Sequence, residues 1–248
     1  MGTVRTAAAL ITACLCLPAA GAAQTVDEIV ARHLAARGGR EKIASIETLK
    51  ITRTIATAFS DFKVAIYKKR PAFFKIEQQS TTPGAPSSVR GVNPDGAWDP
   101  APGGKIVMRP AQLAAEARDL DADFDGWLVN WKEKGYTVTL AGTESIAGRK
   151  AYKLMVALKS GLARTIYLDA ETYLDRRHTG VLNLPGGRQF DVTIDFANWR
   201  DVNGVQFPFD ITEERTGKEP VQSLVSYTEK IEVNVPMDYA LFATPGGR

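Results

Sequence analysis

Leu49-Lys50-Ile51-Thr52-Arg53-Thr54-Ile55 and, a few residues on, Phe62-Lys63-Val64-Ala65-Ile66-Tyr67 are the two runs on which the fold turns. In each, apolar side chains alternate with polar or small ones, so an extended strand would present one greasy face and one wet face, as half-buried antiparallel strands do. The same period carries the apolar face of the first run on to Phe59. Outward from this pair, the two-residue alternation predicts strands over 73–78, 136–140, 151–158, 164–168, 174–178, 189–199, 205–213 and 221–229. The links between them carry turn chemistry: Lys159-Ser160-Gly161, Asp169-Ala170-Glu171-Thr172, Pro185-Gly186-Gly187, and Asn203-Gly204, a type I′ pair. Short links make an up-and-down meander. At roughly ten strands it has to curl into a barrel or half-barrel or split into a sandwich.

Helical periodicity occurs in two places. Thr25-Val26-Asp27-Glu28 has the form of a capping box, followed at helical spacing by Ile29, Val30, His33 and Leu34 and stopped by Gly38-Gly39, with a shorter turn over 41–46 behind it. The second place is an insert over 110–131. Leu113, Ala114, Ala117 and Leu120 form one apolar stripe, and Trp127, Leu128 and Trp131 form a second short amphipathic turn ending at Gly135. A helical insert between strands of one sheet has to pack on a sheet face or over its mouth. Stretches 81–88 and 100–104 read as loops, and no linker is rich enough in Pro, Gly or Ser to divide the chain.

Residues 1–23 read as a signal peptide. Arg5 is the positive start, 6–17 the apolar run and Gly21-Ala22-Ala23 a small-residue cleavage site, so a single domain over 24–248 is expected in the periplasm. An alternative parse takes Ile11-Thr12-Ala13-Cys14 as a lipobox that would leave Cys14 lipidated. The only cysteines, Cys14 and Cys16, fall in this leader, so the mature chain has no thiol for a disulfide, a zinc site or a nucleophile. Among 248 residues, 44% are apolar and 24% charged, enough to bury a core, which excludes extended disorder. A net charge of +3 is too small for a nucleic-acid binder.

Signs of catalysis are sparse. The two histidines, His33 and His178, sit respectively in the stripe of the first helix and beside Arg176 and Arg177 on a strand, where the plain readings are a packed histidine and a solvated basic face. No H-E-x-x-H, G-x-S-x-G or phosphate-binding glycine loop occurs. The acidic run Asp119 to Asp125 has calcium-loop spacing from Asp121, with Gly126 at position six. Position twelve is Lys132 where a bidentate glutamate belongs, so the alternative is an acidic helix start capped by Asp125. No metal and no cofactor is expected. The apolar inventory says more: Trp127 and Trp131 lie on one side of a short helix, Phe73-Phe74 puts rings on both faces of a strand, and a sheet lined by Ile, Val and Phe under a helical cover is a container for acyl chains.

Lys69-Arg70-Pro71-Ala72-Phe73-Phe74, with Asp95-Gly96-Ala97-Trp98, resembles the K-R-P-x-x-F and D-G-x-x-W pair of the periplasmic lipoprotein carriers of the LolA type. Further along, Phe124-Asp125-Gly126-Trp127-Leu128, the run 167–174, Val202-Asn203-Gly204-Val205 with Phe207-Pro208-Phe209, and the end from Asn234-Val235-Pro236 are similar to the broader group of outer membrane lipoprotein-sorting proteins. The resemblance spans nearly the whole mature chain. It implies a mainly β, LolA/LolB-like incomplete antiparallel barrel, a half-barrel with an N-terminal helix and a helical lid insert. Its implied work is to carry lipid or acylated lipoprotein without catalysis, with an inner-membrane exporter and an outer-membrane acceptor as partners. It also implies that Arg70 holds the lid. The chain is longer than those carriers and lacks their aromatic strand after Asp95-Gly96, which leaves the cargo open.

The expected lining, by strand parity, is Leu49, Ile51, Ile55, Val64, Ile66, Phe190, Val192, Ile194, Phe207 and Phe209, with Trp127 and Trp131 from the lid. The protein is expected to act as a monomer. Two other function classes remain open: an envelope scaffold whose interior is filled and whose sheet edge holds a partner protein, and a hydrolase working through paired carboxylates.

Overall fold

The computed structural model describes residues 24–246 apart from 86, 102, 104 and 219, so the leader, Cys14 and Cys16 lie outside the described residues. Helix α1, Val26–Ala36, starts on the expected capping box: Thr25 Oγ1 accepts from the Glu28 N–H at 3.2 Å and the Glu28 carboxylate accepts from the Thr25 N–H at 2.8 Å. Ile29, Val30, His33 and Leu34 make its buried stripe. Gly38 then turns the chain at φ +113°, and a Cβ there would sit 2.0 Å from the Gly204 carbonyl oxygen, so only glycine lets the corner before α2 (Arg40–Ala44) lie this close to the sheet.

Six strands follow: β1 Thr48–Thr57, β2 Asp61–Lys69, β3 Phe73–Ser80, β4 Ser88–Asn93, β5 Gly96–Pro100 and β6 Ile106–Met108. Helix α3, Ala111–Ala117, continues through a wider turn over Arg118–Ala122. Seven more strands complete the chain: β7 Thr137–Ile146, β8 Arg149–Ala157, β9 Ala163–Asp169, β10 Asp175–Leu184, β11 Arg188–Val202, β12 Val205–Thr216 and β13 Gln222–Val233. All pair antiparallel in one sheet ordered β6-β5-β4-β3-β2-β1-β13-β12-β11-β10-β9-β8-β7. The chain thus enters at mid-sheet, meanders to the β6 edge, crosses to the β7 edge through the insert, and meanders back until β13 pairs with β1.

The sheet is open but strongly curled. Laid flat, β4 and β10 would stand seven strand spacings apart, about 34 Å. Yet Ala117 of α3 packs with Phe74 and Val92 of β3 and β4, while its neighbour Glu116 accepts two hydrogen bonds from Asn183 Nδ2 of β10 at 3.1 and 3.0 Å. Adjacent residues of one short helix can touch both halves only if the sheet wraps around it. The inner face so formed carries the helices. The outer face of β3 is covered by the C-terminal segment, where Phe73 meets the rings of Tyr239 and Phe242 at 5.0 and 5.6 Å.

Three sequence expectations change. The meander has thirteen strands where roughly ten were expected, because β4, β5 and β6 were hidden: Gly91, Asn93, Gly96 and Pro100 depress strand propensity, yet Gly91 is required, since a Cβ there would meet the Trp98 ring at 2.6 Å. Phe59 does not continue the apolar face; β1 ends at Thr57 and the ring stands almost wholly exposed on the hairpin tip. Residues 127–135 form consecutive turns and no helix, because Asn130 and Gly135 take positive φ (50° and 75°) inside the apolar spacing that suggested one.

Candidate functional site

Ladder pairing shows which side chains share the inner face. Ile51 stands opposite both Ile66 and Ile231, Leu49 opposite Val233, Ile55 opposite Phe62 and Ser226, and Ile211 opposite Ser226 and Phe196. By the same parity Val64, Phe190, Val192, Ile194, Phe207 and Phe209 lie on this face, so the ten strand residues named from sequence share one face of the sheet without gathering into one cluster. Their cover is unequal. Leu49, Ile51, Phe209 and Ile231 are buried in one cluster against which Phe124 packs, and Val64 is buried under Ala114, Ala117 and Ala122. Ile55, Phe62, Ile194, Phe196 and Ile211, toward the β1–β2 hairpin end, stay half-exposed.

The insert is a plug as much as a lid. Phe124 enters beside Leu49 and Ile51. Trp127 lies on His178 (5.2 Å between ring centres), which in turn meets Phe196 edge-on at 4.5 Å. Trp131 is half-buried against the α1 cluster. The interior beneath the helices is therefore largely occupied by the protein's own rings. Two clefts open at the periphery. One, about 670 Å³, lies along Glu47, Thr48, Lys69 and residues 234–238; the other, about 470 Å³, lies between α3 and the β10–β11 hairpin.

Arg70, at the end of β2, ties this plug down. Its Nε donates to the Ile46 carbonyl at 2.7 Å and Nη2 to the Ile43 carbonyl at 3.0 Å, while Nη1 and Nη2 grip the Asp125 carboxylate at 3.0 and 2.5 Å. The guanidinium also lies over the Phe124 ring at 4.6 Å. A planar fork alone can serve two carbonyls and a carboxylate at once. Asp125, read from sequence as a helix cap, begins no helix; its work is this ion pair.

The rest of the acidic run diverges. Asp119 accepts from the Tyr136 hydroxyl at 2.9 Å and the Ser160 N–H at 2.7 Å, Asp121 takes Arg90 at 2.6 Å, and Asp123 takes Lys134 at 2.6 Å. Carboxylates aimed at three separate cations cannot converge on calcium, and among the described residues no group of His, Asp or Glu is arranged to hold a metal. The run instead pins the insert to both halves of the sheet, a role invisible in the sequence because the cations lie up to 55 residues away.

His33 is packed, as its stripe position suggested, donating from Nδ1 to the Tyr173 carbonyl at 2.9 Å. His178 overturns the expectation of a solvated basic face. Strand parity sends Arg177 outward to Asp195 and His178 inward, where Nε2 donates to Asp175 at 2.8 Å. Burial of Asp175 opposes its charge, but His33, His178 and Arg37 outweigh that and hold its carboxyl far below the usual range. Burial pushes the His33 imidazole down, against the pull of the Asp175 carboxylate.

No family model matches the chain, and no curated protein sequence matches it. Solved structures do. An outer membrane lipoprotein-sorting protein domain from Vibrio parahaemolyticus superposes over 87% of this chain and 94% of its own, at 13% identity and TM-score 0.56. A LolA superfamily protein from Nitrosomonas europaea covers 90% and 99%, at 14% identity and TM-score 0.57. The fold is LolA-like. A DUF1329 family protein from Desulfovibrio piger shares it over 88% and 97%, at 14% identity and TM-score 0.56. Identities this low establish the LolA-like architecture and nothing of the ligand. No helix among the described residues is long and apolar enough to cross a membrane.

Proposed function

We propose that the protein is a non-catalytic carrier of hydrophobic cargo in the periplasm, exported by its leader, which shields acyl chains of lipid or of lipidated protein on the inner face of its sheet. The observation that supports this reading is the unequal cover of a single apolar face. At the hairpin end Ile55, Phe62, Ile194, Phe196 and Ile211 lie half-exposed, while at the other end Phe124 and Trp127 fill the space that hydrocarbon would take if they swung out. Hiding one long acyl chain is worth on the order of 10 kcal/mol, enough to work against the anchors of a plug. The inward carboxylates Asp121, Asp123 and Asp125 are each engaged by a cation, an arrangement suited to fastening and ill suited to a catalytic pair.

The test is to purify the chain from a Gram-negative periplasm, extract it, and analyse the extract by mass spectrometry, alongside titration with a fluorescent fatty acid. Co-purified lipid and saturable uptake are expected; neither appearing would remove the carrier reading. One observation favours a scaffold with a filled interior instead: the plug rings already occupy the covered end. Absence of uptake, with residues 118–135 strongly protected from hydrogen exchange, would support that second reading.

A further inference from the structure

β1 carries a cation on the apolar face. Arg53 follows Ile51 and precedes Ile55 on the inward side, opposite Val64 of β2, at the boundary between the covered and half-exposed ends. Among the described residues its guanidinium makes no hydrogen bond and no ion pair, and its Nε is sealed from water with no partner. Directly across on β13 stands Thr228, buried, its hydroxyl equally unpartnered. Two neighbouring buried polar groups lacking partners are costly in an apolar surround, and a folded chain ordinarily satisfies such groups.

Local backbone geometry explains why the pair is left open. Counting back from the inward Ile231, regular alternation would turn Glu229 inward, toward Arg53, where its carboxylate would neutralise the guanidinium. A bulge in the β1–β13 register, between Thr52 and Arg53 on the β1 side, breaks the alternation. Thr228 takes the inward place, and Glu229 turns to the outer face, accepting from Lys63 Nζ at 2.7 Å and Thr54 Oγ1 at 2.6 Å. The one carboxylate in register with Arg53 is thus removed from the inner face. The other inward basic group nearby, Lys68, donates to the Asp123 carbonyl at 3.1 Å and has acidic neighbours in Asp121 and Asp123. Burial with no charge to offset it pushes Arg53 down to about 10.

We propose that Arg53 and Thr228 form the headgroup site for an anionic amphiphile: a carboxylate or phosphate oxygen is gripped by the guanidinium and the hydroxyl, and the hydrocarbon lies along Ile55, Phe62, Ile194 and Ile211. This deepens the carrier reading and rests on it. A fork donor beside a hydroxyl suits two or three oxygens of one anion, and apolar walls strengthen each bond once the hydrocarbon has displaced water from them.

The test compares anionic ligands with neutral ones of equal chain: oleate against oleyl alcohol, and lysophosphatidic acid against monooleoylglycerol, each titrated by displacement of a fluorescent fatty acid or fatty alcohol, with inorganic phosphate as a headgroup without a chain. The wild-type protein is expected to prefer the charged member by roughly tenfold or more. Arg53→Met should abolish that preference while leaving oleyl alcohol binding within about twofold, and Thr228→Val should reduce it. Preference confined to oleate would assign the site to carboxylates, and confined to lysophosphatidic acid, to phosphates; either supports the proposal. Arg53→Met removes an unpaired, partly buried charge from an apolar face, so its melting temperature should not fall; Arg53→Lys, which keeps the charge and loses the fork, is the second variant and should show an intermediate preference. Equal binding of charged and neutral ligands, unaltered in both variants, would overturn the headgroup site and leave the carrier reading intact. Binding of inorganic phosphate with no chain-bearing ligand would overturn the amphiphile. Binding of none of the probes would overturn both.

Discussion

Leu49 and Ile51 near one end of β1, and Ile55 near the other, occupy the same face of the same strand, yet the first two are 5% and 8% exposed and the third is half-exposed. What differs is what lies above them. Over Leu49 and Ile51 sit Phe124 and the Arg70–Asp125 clasp; Ile55 only borders the cluster that holds Ala114, Ala117 and Ala122. One alternating pattern therefore builds two different surfaces, a core where the insert covers it and an open groove where it does not. An apolar face by itself is not a site; the distribution of its cover makes it one.

Breaking the clasp should have the largest effect on this contrast. Arg70→Ala strips partners from Asp125 and from the Ile43 and Ile46 carbonyls, and should lower stability by roughly 3 kcal/mol in chemical denaturation. It should also raise hydrogen exchange across 118–135 until the covered end behaves like the open one. Asp125→Ala should cost less, since the carbonyl bonds survive, and the double variant should cost less than the two losses added. Unaltered exchange in Arg70→Ala would mean that packing alone seats the insert.

Phe124→Ala empties the covered end without cutting the clasp. A stability loss of about 2 kcal/mol is expected, with increased uptake of a fluorescent fatty acid if Phe124 occupies the space of cargo. A loss of stability with no gain in uptake would point to a filled scaffold. Acid comes next in size. Burial lowers His33 in the fold from its ordinary 6.5, and Asp175 is held in the fold below its ordinary 3.8. In both cases the unfolded chain binds more protons, so stability falls as pH drops below about 6.5, and again below about 4. Thermal melts between pH 7.5 and 5 should show the first decline, and His33→Gln should flatten it. The smallest stability effect belongs to the open end: Ile55→Ser should cost under about 1 kcal/mol because its side chain is already half-wet, while weakening uptake.

Much of the sheet was legible because alternation is written locally. The capping box at Thr25, the Asn203-Gly204 turn with both residues at positive φ (54° and 82°), and the inward parity of Ile51, Val64 and Phe209 each follow from neighbours a few positions away. What escaped depends on distant partners or on one-residue slips. Ser88–Asn93 is a strand because Trp98 and Phe74 are there to pack on, Asp125 pairs with a residue 55 positions earlier, and His178 turns inward only because the register of β10 with β11 places it beside Phe196. The β13 bulge leaves no trace in composition, so nothing in the bare sequence distinguishes Arg53 from the outward lysines around it.

The pairing of β1 with β13 joins the first strand of the chain to the last. This seam lies at the centre of the sheet, so neither half can acquire its inner neighbour until the final strand has been synthesised. A nascent chain lacking residues 222–233 would hold two unjoined ribbons with exposed edges, and long-range closure of this kind is slow. Such an order of events postpones closure of the sheet until both ribbons and the strand that joins them are present together.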